Sequence, residues 1–387
     1  MKYRKFGKLE WQASALGFGC MRLPILDGQN GKIDQVKATE MIRRAIDGGV
    51  NYFDTAYVYH EQMSEIALGR ALEDGYREKV RIATKLPVHM VRETADFDRM
   101  LNEELERLQT DVIDFYLMHS MDEGKWEKVQ KLGLLKEAED AIADGRIRHV
   151  GFSFHDSLDV FKRIVDGYDK WTFCQIQYNY MDVNFQAGRA GLRYAADKGL
   201  AVVIMEPLRG GKLAVEVPAA QPIWMSAEKK RTPVDWAFQW LWSQPEVSLL
   251  LSGMSTLEQV EENLVSADNS RIGLLSADEI ALVDSVRDAL LNLIPIDCTR
   301  CQYCMPCPNG VNIPRVFDYY NRVAMYNGLE SIRGQYKNNI ADEEKAVNCI
   351  QCGECLPKCP QNIPISDWMP VIEDVMSQGK PYVKSVD

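Results

Sequence analysis

The chain has 387 residues, of which 46% are hydrophobic and 26% charged, with a formal net charge of −11. That composition excludes a largely disordered polymer, and the acidic balance argues against nucleic acid as a partner, because phosphate backbones reward basic faces. No stretch approaches the ~20 uncharged apolar residues of a membrane span. The N-terminal MKYRKFGKLEWQ lacks the apolar core and cleavage site of a secretory leader, so a cytoplasmic setting is expected.

Lys2–Ser14 reads as a hairpin closing the floor of the unit that follows. Eight apolar, β-branched runs come next: 15–21, 50–55, 80–86, 112–119, 147–153, 173–179, 200–207 and 247–253. Most are continuously apolar, as strands buried on both faces of a parallel sheet require. Between them lie amphipathic segments, among them Asp34–Asp47, Ser64–Leu72, Thr94–Leu108, Lys125–Ala143 and Pro233–Trp242. Asp34 and Thr94 stand at N-cap positions, and Gly48–Gly49, Gly145 and Gly199 follow helices. Eight strand–helix repeats in about 290 residues predict a closed (β/α)8 TIM barrel over 1–291. No Gly-x-Gly-x-x-Gly follows a strand, which speaks against an open dinucleotide-binding sheet. After a last amphipathic helix, Asp278–Leu291, the character changes near residue 292 to a polar, cysteine-rich and proline-interrupted tail.

Ten cysteines are unevenly spread. Cys20 and Cys174 sit singly in apolar runs and read as packed thiols. The other eight fall in two runs, Cys298, Cys301, Cys304 and Cys307, then Cys349, Cys352, Cys355 and Cys359. In a reducing compartment such crowding means metal ligation rather than disulfides. The second run, C-x2-C-x2-C-x3-C-P, has the bacterial ferredoxin spacing, and the first has one residue fewer before its last cysteine. Residues 292–387 therefore resemble a ferredoxin-like domain with two 4Fe-4S clusters, its Arg315–Tyr326 stretch adding a helix. By that resemblance Cys298, Cys301, Cys304 and Cys359 bind one cluster, and Cys349, Cys352, Cys355 and Cys307 the other. Two four-cysteine zinc sites are the alternative, although zinc ribbons use separated pairs. Structural and electron-carrying roles for the clusters both stay open.

Barrel enzymes place their chemistry at the C-terminal strand ends. Here those ends carry Asp54 with Tyr59 just beyond, Lys85 and His119. A phenol acts as a general acid if its pKa, about 10, is brought down. A neighbouring lysine ammonium favours phenolate, a carboxylate keeps that lysine charged, and an imidazole polarises a carbonyl. Singly, each has a plainer reading as a cap, a snorkelling lysine or a core imidazole. Together at consecutive strand ends they point to carbonyl reduction.

These residues lie in motifs that resemble the aldo-keto reductases: Gly49–Ala56 with Tyr59, Ile82–Lys85 and Asp114–Ser120. The likeness covers roughly residues 1–290, and the tail resembles the subgroup with a ferredoxin-like domain. The resemblance implies Tyr59 as proton donor, Lys85 and Asp54 tuning it, and His119 orienting the carbonyl of a small-molecule substrate. It implies a nicotinamide cofactor meeting Ser153 and Gln175, then Glu206, Leu208, Gly210 and Lys212, and then Ser252, Gly253, Met254, Gln259, Glu262 and Asn263. Several positions depart from the family pattern. His60 replaces a glycine, Met205 an aromatic ring, and Gly253 and Gln259 the Lys and Arg that grip a 2′-phosphate. NADP preference is therefore not carried over, and NAD stays open. His155 reads equally as a contact residue or a capping one. Clusters pass single electrons whereas nicotinamide delivers two, so a flavin near Arg209–Lys212 is a further cofactor candidate. A ferredoxin-like redox partner is compatible with the tail. The competing class is an electron-transfer protein whose barrel is only a scaffold. Substrate choice falls to strand–helix loops, including His89–Arg92 and Gln221–Lys230.

Overall fold

The computed structural model of the chain describes residues 1–298, 300 and 302–386. An antiparallel hairpin, β1 (Tyr3–Lys5) and β2 (Gln12–Ser14), comes first. Eight parallel strands follow: β3 (Leu16–Gly19), β4 (Tyr52–Asp54), β5 (Arg81–Leu86), β6 (Ile113–Met121), β7 (Ile147–Phe154), β8 (Phe173–Gln177), β9 (Ala201–Met205) and β10 (Leu249–Ser252). Each strand pairs with the next, and β10 pairs back onto β3 through Leu250↔Leu16 and Ser252↔Phe18, closing the barrel. Every one of the eight apolar runs supplies one strand. A buried parallel strand needs only a short apolar segment, and the intervening helices shield its outer face.

The helices of this part are α1 (Gln35–Asp47), α2 (Met63–Ala71), α3 (Ala95–Leu108), α4 (Glu123–Lys131), α5 (Leu134–Ala143), α6 (Leu158–Asp166) and α7 (Gly188–Asp197). Asp34 caps α1 as expected, its carboxylate accepting from Lys37 N at 3.2 Å. Thr94 holds the N-cap position of α3 as expected, but its hydroxyl donates to the Leu132 carbonyl rather than accepting from the helix, and Asp96 Oδ2 accepts the Arg92 and Glu93 amides of the turn before it. The single helix expected over Lys125–Ala143 is broken in two, because Gly133 at φ +65° turns the chain between α4 and α5.

The hairpin does fill the barrel floor. Phe6 is fully buried, with its ring centroid 4.8 Å from Phe115, 5.8 Å from Phe173 and 5.9 Å from Tyr52. At the same end the buried Asp114 accepts from Arg81 and Arg77 at 2.8 and 2.9 Å and from the Ile82 amide. Three arginines around one carboxylate, counting Arg148, offset the cost of burying it.

The chain divides into two compact units, Met1–Ala214 with Arg231–Ile280, and Val215–Lys230 with the segment from Ala281 onward. Completing the series are α8 (Gln221–Ser226), α9 (Pro233–Trp242), α10 (Leu257–Asp268), α11 (Ala277–Leu291), α12 (Ile313–Tyr326), α13 (Leu329–Asn339) and α14 (Ile365–Met376). The second unit has its own apolar core, in which Val316, Phe317 and Tyr320 of α12 meet Trp368, Met369 and Ile372 of α14. No helix among the described residues is long and apolar enough to cross a membrane.

Candidate active site and cluster cavities

Strand register brings the four chemical groups together. Asp54 ends β4 beside Ala83 of β5, and Lys85, two residues on, points into the same mouth. Lys85 is fully buried; its Nζ donates to Asp54 Oδ1 at 2.6 Å and to the Thr55 carbonyl at 2.5 Å, and lies 3.5 Å from the Tyr59 hydroxyl. Burial alone pulls an ammonium down, but Asp54 and Tyr59 outweigh it, so Lys85 sits above its ordinary value and stays charged. Burial raises Asp54, and Lys85 draws it back only in part. His119 meets the Tyr59 ring edge-on, with centroids 5.9 Å apart. It is held well below the usual imidazole range, first by burial and then by Lys85, so it is neutral at pH 7.

One expectation is corrected here. Lys85 was expected to bring the Tyr59 phenol below its ordinary value. Burial pushes it up by more than Lys85 pulls it down, and the net direction is upward. The consequence is a phenol that keeps its proton at neutral pH, the form a proton donor needs.

Local backbone irregularities set these side chains. After Tyr59, His60, Glu61 and Gln62 are successive non-glycine residues at φ +50°, +54° and +74°. His60 fits in place of glycine because its buried imidazole is tied down: Nε2 accepts from Leu23 N at 3.2 Å, and Nδ1 donates to the Asn30 carbonyl at 2.9 Å. After His119, β6 slips register between Met118 and Met121, and Ser120 at φ +56° donates its amide to Ser153 Oγ at 2.7 Å. Such strain at a strand end re-aims the neighbouring side chain.

The residues expected to meet a nicotinamide dinucleotide lie on β7 to β10 and their loops. Gln175 is buried on β8, its Nε2 3.8 Å from Met205 Sδ and its Oε1 without a hydrogen-bond partner among the described residues. An orphaned buried acceptor facing the mouth suits an amide N–H of a carboxamide. Glu206, Leu208, Gly210 and Lys212 form a tight loop after β9, with Glu206 at φ +57° and Arg209 at φ +50°. Sequence reasoning missed what anchors it: Asn179 Nδ2 donates to the Glu206 carbonyl at 3.0 Å, and the Asp182 carboxylate holds Arg209 at 3.2 Å. The Asn-x-x-Asp pattern after β8 was the available signal, since Asn179 Oδ1 accepts the Met181 amide in an Asx turn and the Asp182 amide beside it. After β10, Asn263 Nδ2 donates to Ser252 Oγ at 3.1 Å, Gln259 Oε1 accepts the Ser255 amide, Met254 is buried and Glu262 is exposed. His155 is exposed, its amide donating to the Met121 carbonyl.

In the second unit, one open pocket of about 420 Å³ is lined by Cys304, Cys307, Cys349, Cys352 and Cys355. Another, of about 320 Å³, is lined by Cys298, Cys304 and Cys359. Cys301 lies outside the described residues. No three described Cys, His, Asp or Glu side chains converge on a single metal ion. Sulfurs spaced around a cavity fit a cubane, whose irons each take one thiolate, better than tetrahedral zinc.

Fold and site together describe a (β/α)8 oxidoreductase with an appended iron–sulfur domain. The aldo/keto reductase family matches residues 15–288, and the 4Fe-4S dicluster domain matches 297–363. The chain belongs to the aldo/keto reductase family. L-galactose dehydrogenase of Arabidopsis thaliana is 27% identical over 316 residues, covering 76% of this chain and 96% of the relative. An aldo-keto reductase of Bacillus halodurans in its holo form superposes with TM-score 0.61 at 24% identity, over 74% of this chain and 96% of that one. One from Klebsiella pneumoniae in complex with NADPH has TM-score 0.60 at 23% identity, over 74% and 95%.

Proposed function

We propose that the chain reduces the carbonyl of a small molecule, or runs the reverse oxidation, with NADPH or NADH and with Tyr59 as proton donor. One observation carries this reading: a single buried ammonium touches Asp54 at 2.6 Å and stands 3.5 Å from the Tyr59 hydroxyl, beside a neutral His119. A scaffold barrel has no use for a buried lysine poised on a phenol. Gln175 and Ser153 would hold the nicotinamide end, and Glu206–Lys212, Ser252–Met254, Gln259, Glu262 and Asn263 the rest. Cys349, Cys352, Cys355 and Cys307 would hold one 4Fe-4S cluster, and Cys298, Cys301, Cys304 and Cys359 the other. When bound, reduced nicotinamide supplies a hydride and a cluster supplies one electron at a time.

The chain's own part is protonic. Neutral His119 donates a hydrogen bond to the substrate oxygen. As charge grows there, the Tyr59 hydroxyl passes its proton to that oxygen, and the Lys85 ammonium stabilises the phenolate left behind. Asp54 keeps Lys85 charged. Carbonyl, hydride and proton give the alcohol and oxidised dinucleotide. The clusters' role in this reading is electron exchange with a ferredoxin-like partner, and a flavin would reconcile one- and two-electron chemistry.

The test is a screen of NADH, NADPH and reduced ferredoxin against carbonyl substrates, with anaerobically purified, cluster-loaded protein and its Tyr59→Phe variant. Turnover that is lost on substitution while dinucleotide affinity is kept supports the reading. Equal turnover in both proteins overturns it. Absence of released flavin on acid precipitation removes the flavin.

A further inference from the structure

We propose that Arg22 is the cation that grips the pyrophosphate of the dinucleotide, reaching it from the turn after β3 rather than from the loop after β10. The proposal rests on the nicotinamide reading above. The turn Cys20–Arg22 is pinned on two sides. Ser255 Oγ donates to the Arg22 carbonyl at 2.8 Å, joining it to the loop after β10, and the next residue, Leu23, donates its amide to the buried His60 ring.

Two glycines flank the side chain. An added Cβ on Gly253 would stand 3.3 Å from Arg22 Cγ and Cδ, so the arginine stem lies against bare backbone there. A Cβ on Gly210, itself at φ +69°, would stand 3.5 Å from Arg22 Nη2. The guanidinium therefore lies between the loops after the seventh and eighth barrel strands, where (β/α)8 barrels bind phosphate. Arg22 is exposed, and among the described residues no hydrogen bond or ion pair engages its guanidinium. Glu206 Oε2 is also 3.5 Å from the Gly210 position, yet makes no ion pair with it.

The loop and helix after β10 supply no cation of their own, since residues 253–266 contain no Lys or Arg. A planar guanidinium fork without a protein partner matches two phosphate oxygens. The flavin mononucleotide phosphate shares that chemistry, so the test must separate the two.

Full-length protein with its clusters is titrated with NADH, NADPH and flavin mononucleotide, as wild type and as Arg22→Gln and Arg22→Lys. Gln keeps a stem against Gly253 while removing the charge. The expected result is that R22Q weakens NADH and NADPH alike, by roughly ten- to a hundred-fold, and flattens the salt dependence, with R22K in between. Affinities within twofold of wild type overturn the assignment. A loss confined to NADPH also overturns it, placing the guanidinium on the 2′-phosphate. Binding of flavin mononucleotide alone, with an Arg22-dependent affinity, overturns it in favour of the flavin. Wild type that binds neither dinucleotide overturns the nicotinamide reading itself, before any variant is compared.

Discussion

The two units solve the placement of reactive groups in opposite ways. In the barrel, protein atoms alone hold the site: Lys85 is clamped by Asp54 and the Thr55 carbonyl, and the turn after Tyr59 is clamped by His60. In the second unit, the cysteines surround cavities of about 420 and 320 Å³ beside a small core built from α12 and α14. One region is preorganised by its own hydrogen bonds. The other is arranged around a volume that thiolate–iron bonds would span. The barrel site thus owes its geometry to hydrogen bonds, whereas metal-ligand bonds contribute folding energy directly.

Removing iron is the harshest way to break that comparison. Chelation under reducing conditions is expected to abolish the thermal transition of the second unit while the barrel keeps its own, as calorimetry would register. A single transition unmoved by chelation would mean that the clusters are dispensable for folding. Next in size, Tyr59→Phe is expected to lower the rate of carbonyl reduction by about 10²–10⁴-fold. Phe6→Ala attacks the other end of the barrel. Truncating a fully buried ring at the floor is expected to cost about 3–5 kcal/mol in urea unfolding while leaving kcat unchanged, because the floor and the mouth are independent.

The smallest effect concerns pH. Burial, then the neighbouring Glu65, raises the Glu104 carboxyl well above its ordinary value. A carboxyl whose folded pKa is raised contributes stability below its unfolded value of about 4.3, and that contribution is lost as pH climbs through the folded pKa. Glu104→Gln is therefore expected to be neutral or slightly stabilising at neutral pH and to flatten the decline in stability as pH rises above about 4.3, as denaturant midpoints across pH would show. For the reaction itself, the upward direction at Tyr59 means that reduction holds its rate until pH passes the ordinary phenol value of about 10, and then falls. A fall centred near neutrality would assign the proton to another group.

Strand positions followed from sequence because a parallel barrel strand carries its own signature, a short continuous apolar run flanked by helix caps. The cysteine spacing was equally local: three thiolates at i, i+3 and i+6 need no distant partner to be recognised. Helix ends were read less well. Gly133 splits one predicted helix, and Thr94 at the N-cap of α3 turns its hydroxyl to the Leu132 carbonyl, since both outcomes depend on which neighbour is within reach.

Composition, alternation and spacing by themselves determined the barrel class and the cysteine-rich tail, and singled out Asp54, Tyr59, Lys85 and His119 as candidates, because those signals repeat over a few residues. Tertiary structure alone decided that burial outweighs Lys85 in setting the Tyr59 phenol and that Asp182 anchors the Arg209 loop. It also decided that Arg22 lies against Gly253 and reaches the loops after β9 and β10. Desolvation and through-space contact depend on the atoms that surround a group, and those come from strands tens to hundreds of residues away.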